Sequence, residues 1–149
     1  MESSVSEGGL YAFAGVYDGH GGFATSAWLQ KQLRPLLESL WQGGAAPERC
    51  VNKAFREADK VLLAPSGFMG MGQRGVGGSK CGSTAAVAAL WRNAGGRAVL
   101  MAANVGDTRV LLCRGGQCVQ LTVDHVPDNE DERKRIEAQN PNPKMPLVR

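Results

Sequence analysis

The sequence predicts an α+β fold, in which helices pack on central antiparallel strands. Two segments with helical periodicity occupy the first half of the chain, after one short apolar run. A series of short apolar runs, separated by glycine-rich turns, fills most of the second half. The chain has 149 residues, 43% of them hydrophobic, which suits one domain or part of a larger one.

The spacing of apolar residues defines the first strand and the first two helices. Tyr11–Tyr17 is short, apolar and bounded by glycines, which predicts a buried strand. The leucines from Leu29 to Leu40 recur at three- and four-residue steps, which predicts an amphipathic helix with a kink or restart at Pro35. A second helix is predicted from Pro47 to Leu63, because proline is tolerated in a first turn. Its apolar stripe contains Val51, Ala54, Phe55, Ala58 and Leu62.

The segment 64–80 is predicted to be a glycine-rich surface loop. It holds six glycines and little periodic apolar content. No GKS or GKT closes the run, so the glycines do not have the order of a nucleotide-binding P-loop.

Four apolar runs after Cys81 predict an antiparallel meander, since short glycine-containing turns separate them. The runs span residues 83–91, 97–104, 108–113 and 117–123. Several are apolar on both faces, so we expect the sheet to be covered on each side.

The charged segment 128–139 predicts a solvated helix. Glu130 and Lys134, and likewise Asp131 and Arg135, have the spacing of helical ion pairs. Residues 1–10 and 140–149 are expected to be irregular. No further helix or strand closes the fold, so we expect residues 1–149 to be a partial domain.

Composition excludes several classes of function. The net charge is +3 with mixed signs and no basic stripe, which argues against a nucleic-acid partner. No apolar run approaches about 20 residues, so no membrane span is expected. No targeting segment is visible, and we expect a soluble intracellular chain of unmarked compartment.

The cysteines lack a metal-binding pattern. None of Cys50, Cys81, Cys113 and Cys118 forms a CxxC pair, which argues against zinc. Cys113 and Cys118 flank a predicted hairpin turn and could face each other across it. Reduced thiols are the favoured interpretation.

The sequence VYDGHGG at 16–22 is the strongest candidate site. Asp18 could provide a hard oxygen ligand for Mg²⁺ or Mn²⁺, and Gly19 would let a backbone carbonyl approach the same ion. His20 could transfer a proton to a group held there. The alternative is a structural turn with Asp18 as a helix cap and His20 as an exposed polar residue. Asp107, in NVGDTR, would by itself be an ordinary turn residue.

Taken in order, four blocks resemble the metal-dependent protein serine/threonine phosphatases, the PPM or type 2C family. The blocks are VYDGHGG at 16–22, GSTA at 82–85, NVGDTR at 104–109 and LTVDHVP at 121–127, with ERKRIEA following at 132–138. DGHGG alone would be a moderate signal. Four blocks in this order, across nearly the whole chain, are a strong one.

The resemblance implies a four-layer α-β-β-α sandwich with a binuclear Mg²⁺ or Mn²⁺ centre between its two sheets. It implies that Asp18 bridges both metals, that the Gly19 carbonyl ligates one of them, and that His20 protonates the leaving serine or threonine oxygen. Asp107 matches an acid that helps to hold a further, looser metal in some members. Thr84 and His125 lie in blocks that shape the sheet, and we interpret both as structural.

The sequence departs from the family pattern at both ends. The arginine and acidic pair that precede DGHGG in the family are missing, and so are its later metal-ligating aspartates. The expectation is an amino-terminal half domain with little or no phosphatase activity of its own. The complete enzyme would act on phosphoproteins, and we expect it to be monomeric. Two alternatives stay open: a non-catalytic interaction or competitor module, and a small metal-binding module unrelated to phosphatases.

Overall fold

The computed structural model describes residues 10–41, 46–65, 75–92, 96–142 and 144–145. They form three helices and seven strands, so the predicted α+β class is confirmed. The helices are α1 (Ala24–Trp41), α2 (Pro47–Leu63) and α3 (Glu130–Ala138). The strands are β1 (Leu10–Val16), β2 (Gly19–His20), β3 (Gly82–Ser83), β4 (Ala85–Arg92), β5 (Ala98–Val105), β6 (Leu111–Arg114) and β7 (Gln117–Gln120).

The main sheet has three antiparallel strands in the order β1-β4-β5. In its register Val87 of the central strand lies between Gly15 and Ala103. The alternate residues Ala85, Val87, Ala89 and Trp91 are all buried. The strand predicted at 83–91 is therefore the centre of the sheet. The four-layer sandwich remains a prediction.

Helices α1 and α2 cover one face of this sheet. Three buried leucines on α1 meet a buried stripe on α2, and both pack with Val87. The buried members on the helices are Leu29, Leu33, Leu37, Cys50, Val51, Ala54 and Ala58. Trp41, at the end of α1, contacts Trp91 with ring centroids 4.9 Å apart. The core therefore lies between the helices and the sheet, and the predicted apolar stripe of α2 is confirmed.

Helix α1 is continuous through Pro35, so of the predicted kink or restart the restart does not occur. Buried Leu33 and Leu37 on either side hold that turn against the core. In α3 the Glu130–Lys134 pair forms at 2.8 Å, but Arg135 pairs with Glu132 rather than Asp131. The longer glutamate side chain accepts from both Nε and Nη2 of Arg135, a bidentate geometry that favours it.

The prediction of a four-strand meander was wrong. Strands β6 and β7 form a separate two-stranded hairpin, and the chain leaves the main sheet after β5. The side-chain amide of Asn104 donates to the carbonyls of Gly106, Thr108 and Val123, at 3.3, 2.9 and 2.8 Å. The bond to Val123 joins the end of β5 to a segment nineteen positions further along the chain.

The expectation that the sheet is covered on both sides is not met by the described residues. The face opposite α1 and α2 leaves Val16 68% and Leu100 41% exposed. No helix in the described part of the chain is long and apolar enough to cross a membrane.

Parts of the predicted irregular segments lie outside the described residues. These parts are 1–9, 66–74, 143 and 146–149. Residues 75–80 form turns attached to the end of α2, where Val76 N–H donates to the Leu62 carbonyl at 2.9 Å.

Candidate functional site

The turn after β1 holds the predicted acid and histidine at the surface. Asp18 directly follows β1, and β2 then pairs with β3, so that Gly19 lies opposite Ser83 and His20 opposite Gly82. Both Asp18 and His20 are exposed. Helix α1 begins only at Ala24, so the alternative role of Asp18 as a helix cap was wrong, whereas His20 is exposed as that alternative expected.

The glycines of this turn are required by its packing. Gly21 has φ +66°, and a Cβ there would lie 1.9 Å from the Lys80 carbonyl oxygen. A Cβ on Gly19 would lie 2.7 Å from the Ser26 hydroxyl. Bare backbone therefore lets the turn pack closely against the segment before β3 and the start of α1.

The His20 imidazole lies over the glycine of the second motif. A Cβ on Gly82 would lie 2.4 Å from His20 Nε2 and 2.7 Å from Cε1. Any side chain at Gly82 would displace the ring. The GSTA block thus has a direct role in the position of His20.

The four sequence blocks meet in one continuous set of contacts. Thr84 N–H donates to the Asp18 carbonyl at 2.9 Å. Gly106, with φ +89°, packs on Thr84, because a Cβ there would lie 3.0 Å from Thr84 Cγ2. His125 N–H in turn donates to the Gly106 carbonyl at 3.0 Å. Thr84 and His125 contribute backbone contacts, which accords with the structural role predicted for them.

An ion pair reinforces the contact between the third and fourth blocks. Arg109 donates through Nη2 to Asp124 Oδ2, and the Asp124 side chain is only 16% exposed. Within the described residues, Asp124 Oδ1 and the hydroxyl oxygen of Thr84 are buried without hydrogen-bond partners. The Thr84 hydroxyl therefore leaves an unsatisfied polar atom beside the Asp18 turn.

The residues present fit one side of a divalent-metal site. Asp18 offers an exposed carboxylate next to the bare backbone of Gly19. Asp107 is also exposed and follows Gly106 in the contact set. The described part of the chain brings no three His, Cys, Asp or Glu side chains together as a metal-binding group. Mg²⁺ gives up its water reluctantly, so it usually keeps several waters and is bound through one or two carboxylates together with substrate phosphates.

Cys81 lies beside the site and was not singled out by the sequence. The hydroxyl and then the backbone N–H of Thr25, in the first turn of α1, lower the pKa of the Cys81 thiol. The single Thr25 hydroxyl proton is shared with the Val76 carbonyl, 3.2 Å away. The sequence offered one signal for this residue, which is its position directly before GSTA. Only the fold shows that Cys81 contacts the N-terminus of a helix.

Cys50 and Arg56 have the CxxxxxR spacing of cysteine-dependent phosphatases. Both lie on α2, and Cys50 is 1% exposed in the core, with its thiol donating to the Leu40 carbonyl. A buried thiol on a helix cannot act as a phosphate-attacking nucleophile, so this spacing has no catalytic meaning here.

A family model described as protein phosphatase 2C matches residues 2–143. The chain belongs to the protein phosphatase 2C family. The four blocks that meet around Asp18 all lie inside the matched range. The resemblance noted from those blocks is therefore confirmed.

Similar proteins come from plants and a ciliate. The chain is 38% identical over 139 residues to "Probable protein phosphatase 2C 11" of Arabidopsis thaliana, covering 92% of the chain and 34% of the relative. It is 33% identical to "Probable protein phosphatase 2C 45" of Oryza sativa subsp. japonica, covering 88% and 42%. It is 35% identical to "Protein phosphatase 2C 1" of Paramecium tetraurelia, covering 83% and 41%.

The chain thus spans about two fifths or less of these protein phosphatase 2C relatives. The family is metal-dependent, generally with Mg²⁺ or Mn²⁺.

Proposed function

We propose that this chain forms one wall of a protein phosphatase 2C active site, in a protein that hydrolyses phosphoserine and phosphothreonine in phosphoprotein substrates. The observation that supports this most is the contact set from Asp18 through Thr84 and Gly106 to His125, since it unites the four family blocks.

Each residue has a distinct proposed role. The Asp18 carboxylate and the Gly19 carbonyl would hold Mg²⁺ or Mn²⁺ in a binuclear centre, and Asp107 would help to hold a further ion. When bound, the ions would supply an activated water and neutralise charge on the phosphoryl group. His20 donates a proton to the leaving serine or threonine oxygen. The contact of the imidazole with Gly82, a residue of the second family block, supports this assignment.

A chimera tests the proposal. Residues 10–138 of this chain would replace the aligned segment of the Arabidopsis relative, and release of phosphate from a phosphothreonine peptide would be measured with Mn²⁺. We expect activity in the chimera. Asp18→Asn should lower kcat by about a hundredfold or more, because it removes a negatively charged ligand. His20→Ala should lower kcat by about a hundredfold, the usual effect of losing a general acid.

A charge-matched control distinguishes the loss of a carboxylate at the site from the loss of any exposed carboxylate. Asp59→Asn removes an exposed carboxylate on α2, outside the contact set, and should leave kcat unchanged. The 149-residue chain alone should show no Mn²⁺-dependent turnover. An active chimera that tolerates Asp18→Asn as well as Asp59→Asn would refute the proposed role of Asp18. Turnover by the chain alone would refute the partial-site interpretation.

A second function is favoured by one observation: the described residues bring no three metal-ligating side chains together. A chain that acts in this form would keep the surface by which the family binds its partners, but it would not catalyse phosphate hydrolysis. It would then be an interaction module that competes for partners of a complete phosphatase. Competition is testable, because excess chain should inhibit binding of a complete relative to a phosphoprotein, and Asp18→Asn should not weaken that inhibition.

A further inference from the structure

Two cysteines lie directly opposite each other in the β6–β7 hairpin. The register pairs Cys113 with Cys118, and both are exposed. The turn between the strands consists of Gly115 and Gly116, with φ +58° and +76°. Positive φ at both central residues is the type I′ geometry, which matches the twist of a two-residue hairpin. The turn therefore fixes the register that aligns the two thiols.

The position of this pair in the ladder suits a disulfide. Arg114 and Gln117 flank the turn and form the hydrogen-bonded pair that closes it. The next pair, Cys113 and Cys118, is therefore a non-hydrogen-bonded pair. Such pairs have Cα atoms about 4.5 Å apart, within the span of about 4.4–6.8 Å that disulfides require.

The surroundings leave the thiols accessible. The hairpin face that carries both cysteines also carries Leu111 and Gln120, and all four residues are exposed. The opposite face carries the half-buried pair Leu112 and Val119. An oxidant can thus reach either cysteine without opening the fold.

We propose that Cys113 and Cys118 form a redox-responsive dithiol, which glutathione disulfide oxidises to an intrachain disulfide. One cysteine thiolate attacks glutathione disulfide, forms a mixed disulfide and releases one glutathione. The second thiolate attacks the cysteine sulfur of that mixed disulfide and releases the second glutathione. Two protein thiols are oxidised, one glutathione disulfide is reduced, and the two thiol protons end on glutathione. The linkage is independent of the proposed phosphatase function.

Equilibration of the full chain in glutathione buffers tests the linkage. After acid quenching and alkylation of the remaining thiols, tryptic cleavage at Arg109, Arg114 and Arg133 separates the two cysteines into different peptides. Mass spectrometry should find 110–114 linked to 115–133. The equilibrium constant against glutathione should be about tenfold or more higher for the native chain than for the chain in urea, because the hairpin aligns the thiols.

A register-shifted variant provides the matched control. Cys118→Ser with Val119→Cys keeps two thiols on the hairpin but places them on opposite faces. In this variant the equilibrium constant against glutathione should be the same for the native chain and for the chain in urea. In Cys81→Ser the native chain should keep its higher equilibrium constant. Mixed glutathione disulfides without a link, linkage between two chains, or an equal equilibrium constant in urea would each overturn the proposal. The comparison with urea requires no variant to fold.

Discussion

At the residue scale, Gly21 combines two constraints that are separable by mutation. Its backbone has φ +66°, and the space for a Cβ is filled by the Lys80 carbonyl. Gly96 has a similar φ of +73° but nothing within 4 Å of a Cβ. The two glycines therefore distinguish backbone strain from a steric clash with rigid main chain.

We expect Gly21→Ala to lower the free energy of unfolding by at least about 3 kcal/mol, since the β2–β3 pairing must shift to admit the methyl group. Gly96→Ala should cost only about 1 kcal/mol, the ordinary strain of a left-handed alanine. Urea unfolding of dilute protein measures both. Equal losses would show that the contact with Lys80 does not constrain the turn.

At the element scale, the sequence predicted those elements whose formation depends on the local spacing of apolar residues. Helix α2 runs from Pro47 to Leu63 as predicted, because its apolar stripe and its first-turn proline are both visible in sequence. The pairing of the strands depended on distant atoms instead. Where the chain leaves the sheet, the side-chain amide of Asn104 donates to the Val123 carbonyl at 2.8 Å. No periodicity in residues 97–123 encodes that contact.

The ion pairs of α3 also show what the sequence alone does not determine, in this case between residues of the same helix. Helical spacing allows Arg135 to meet either Asp131 or Glu132, and only the fold selects the glutamate. The hydrogen bond from Arg135 lowers the pKa of the Glu132 carboxyl. Because the folded-state pKa is the lower one, this pair stabilises α3 fully above the ordinary glutamate pKa of about 4.3. That stabilisation is lost as the pH falls through the folded-state value.

We therefore expect hydrogen exchange of α3 amides, corrected for intrinsic rates, to lose protection as the pH falls below about 4. Glu132→Gln should remove most of this pH dependence, because the amide cannot ionise. The control Glu130→Gln changes an equally charged side chain that is 80% exposed, and in this variant the pH dependence of exchange should remain. An unchanged pH profile in Glu132→Gln would show that the Arg135 pair does not stabilise the helix.

At the scale of the whole molecule, the sequence singled out candidate site residues but not the contacts that join their four blocks. The DGHGG turn was visible because acid, histidine and glycine coincide within five positions. Its approach to Gly106 and His125 was not, since those residues are more than eighty positions away along the chain.

The open face of the main sheet has a consequence for the behaviour of the isolated chain. On that face Val16 lies beside Ala86, and Leu100 lies beside Leu90. Val16 is 68% and Leu100 is 41% exposed. Exposed apolar side chains on an uncovered sheet face promote association between copies of a chain.

We expect the isolated chain to be poorly soluble and to self-associate as its concentration rises. Val16→Thr with Leu100→Gln should shift sedimentation velocity profiles towards the monomer, because both changes reduce the apolar area of the open face. The matched control, Val61→Thr with Leu63→Gln, makes the same exchanges on α2, where the side chains are 48% and 66% exposed. It should leave association unchanged. If the unmodified chain is a monodisperse monomer with a sharp cooperative melt, or if both double variants dissociate equally, the open sheet face is not the cause.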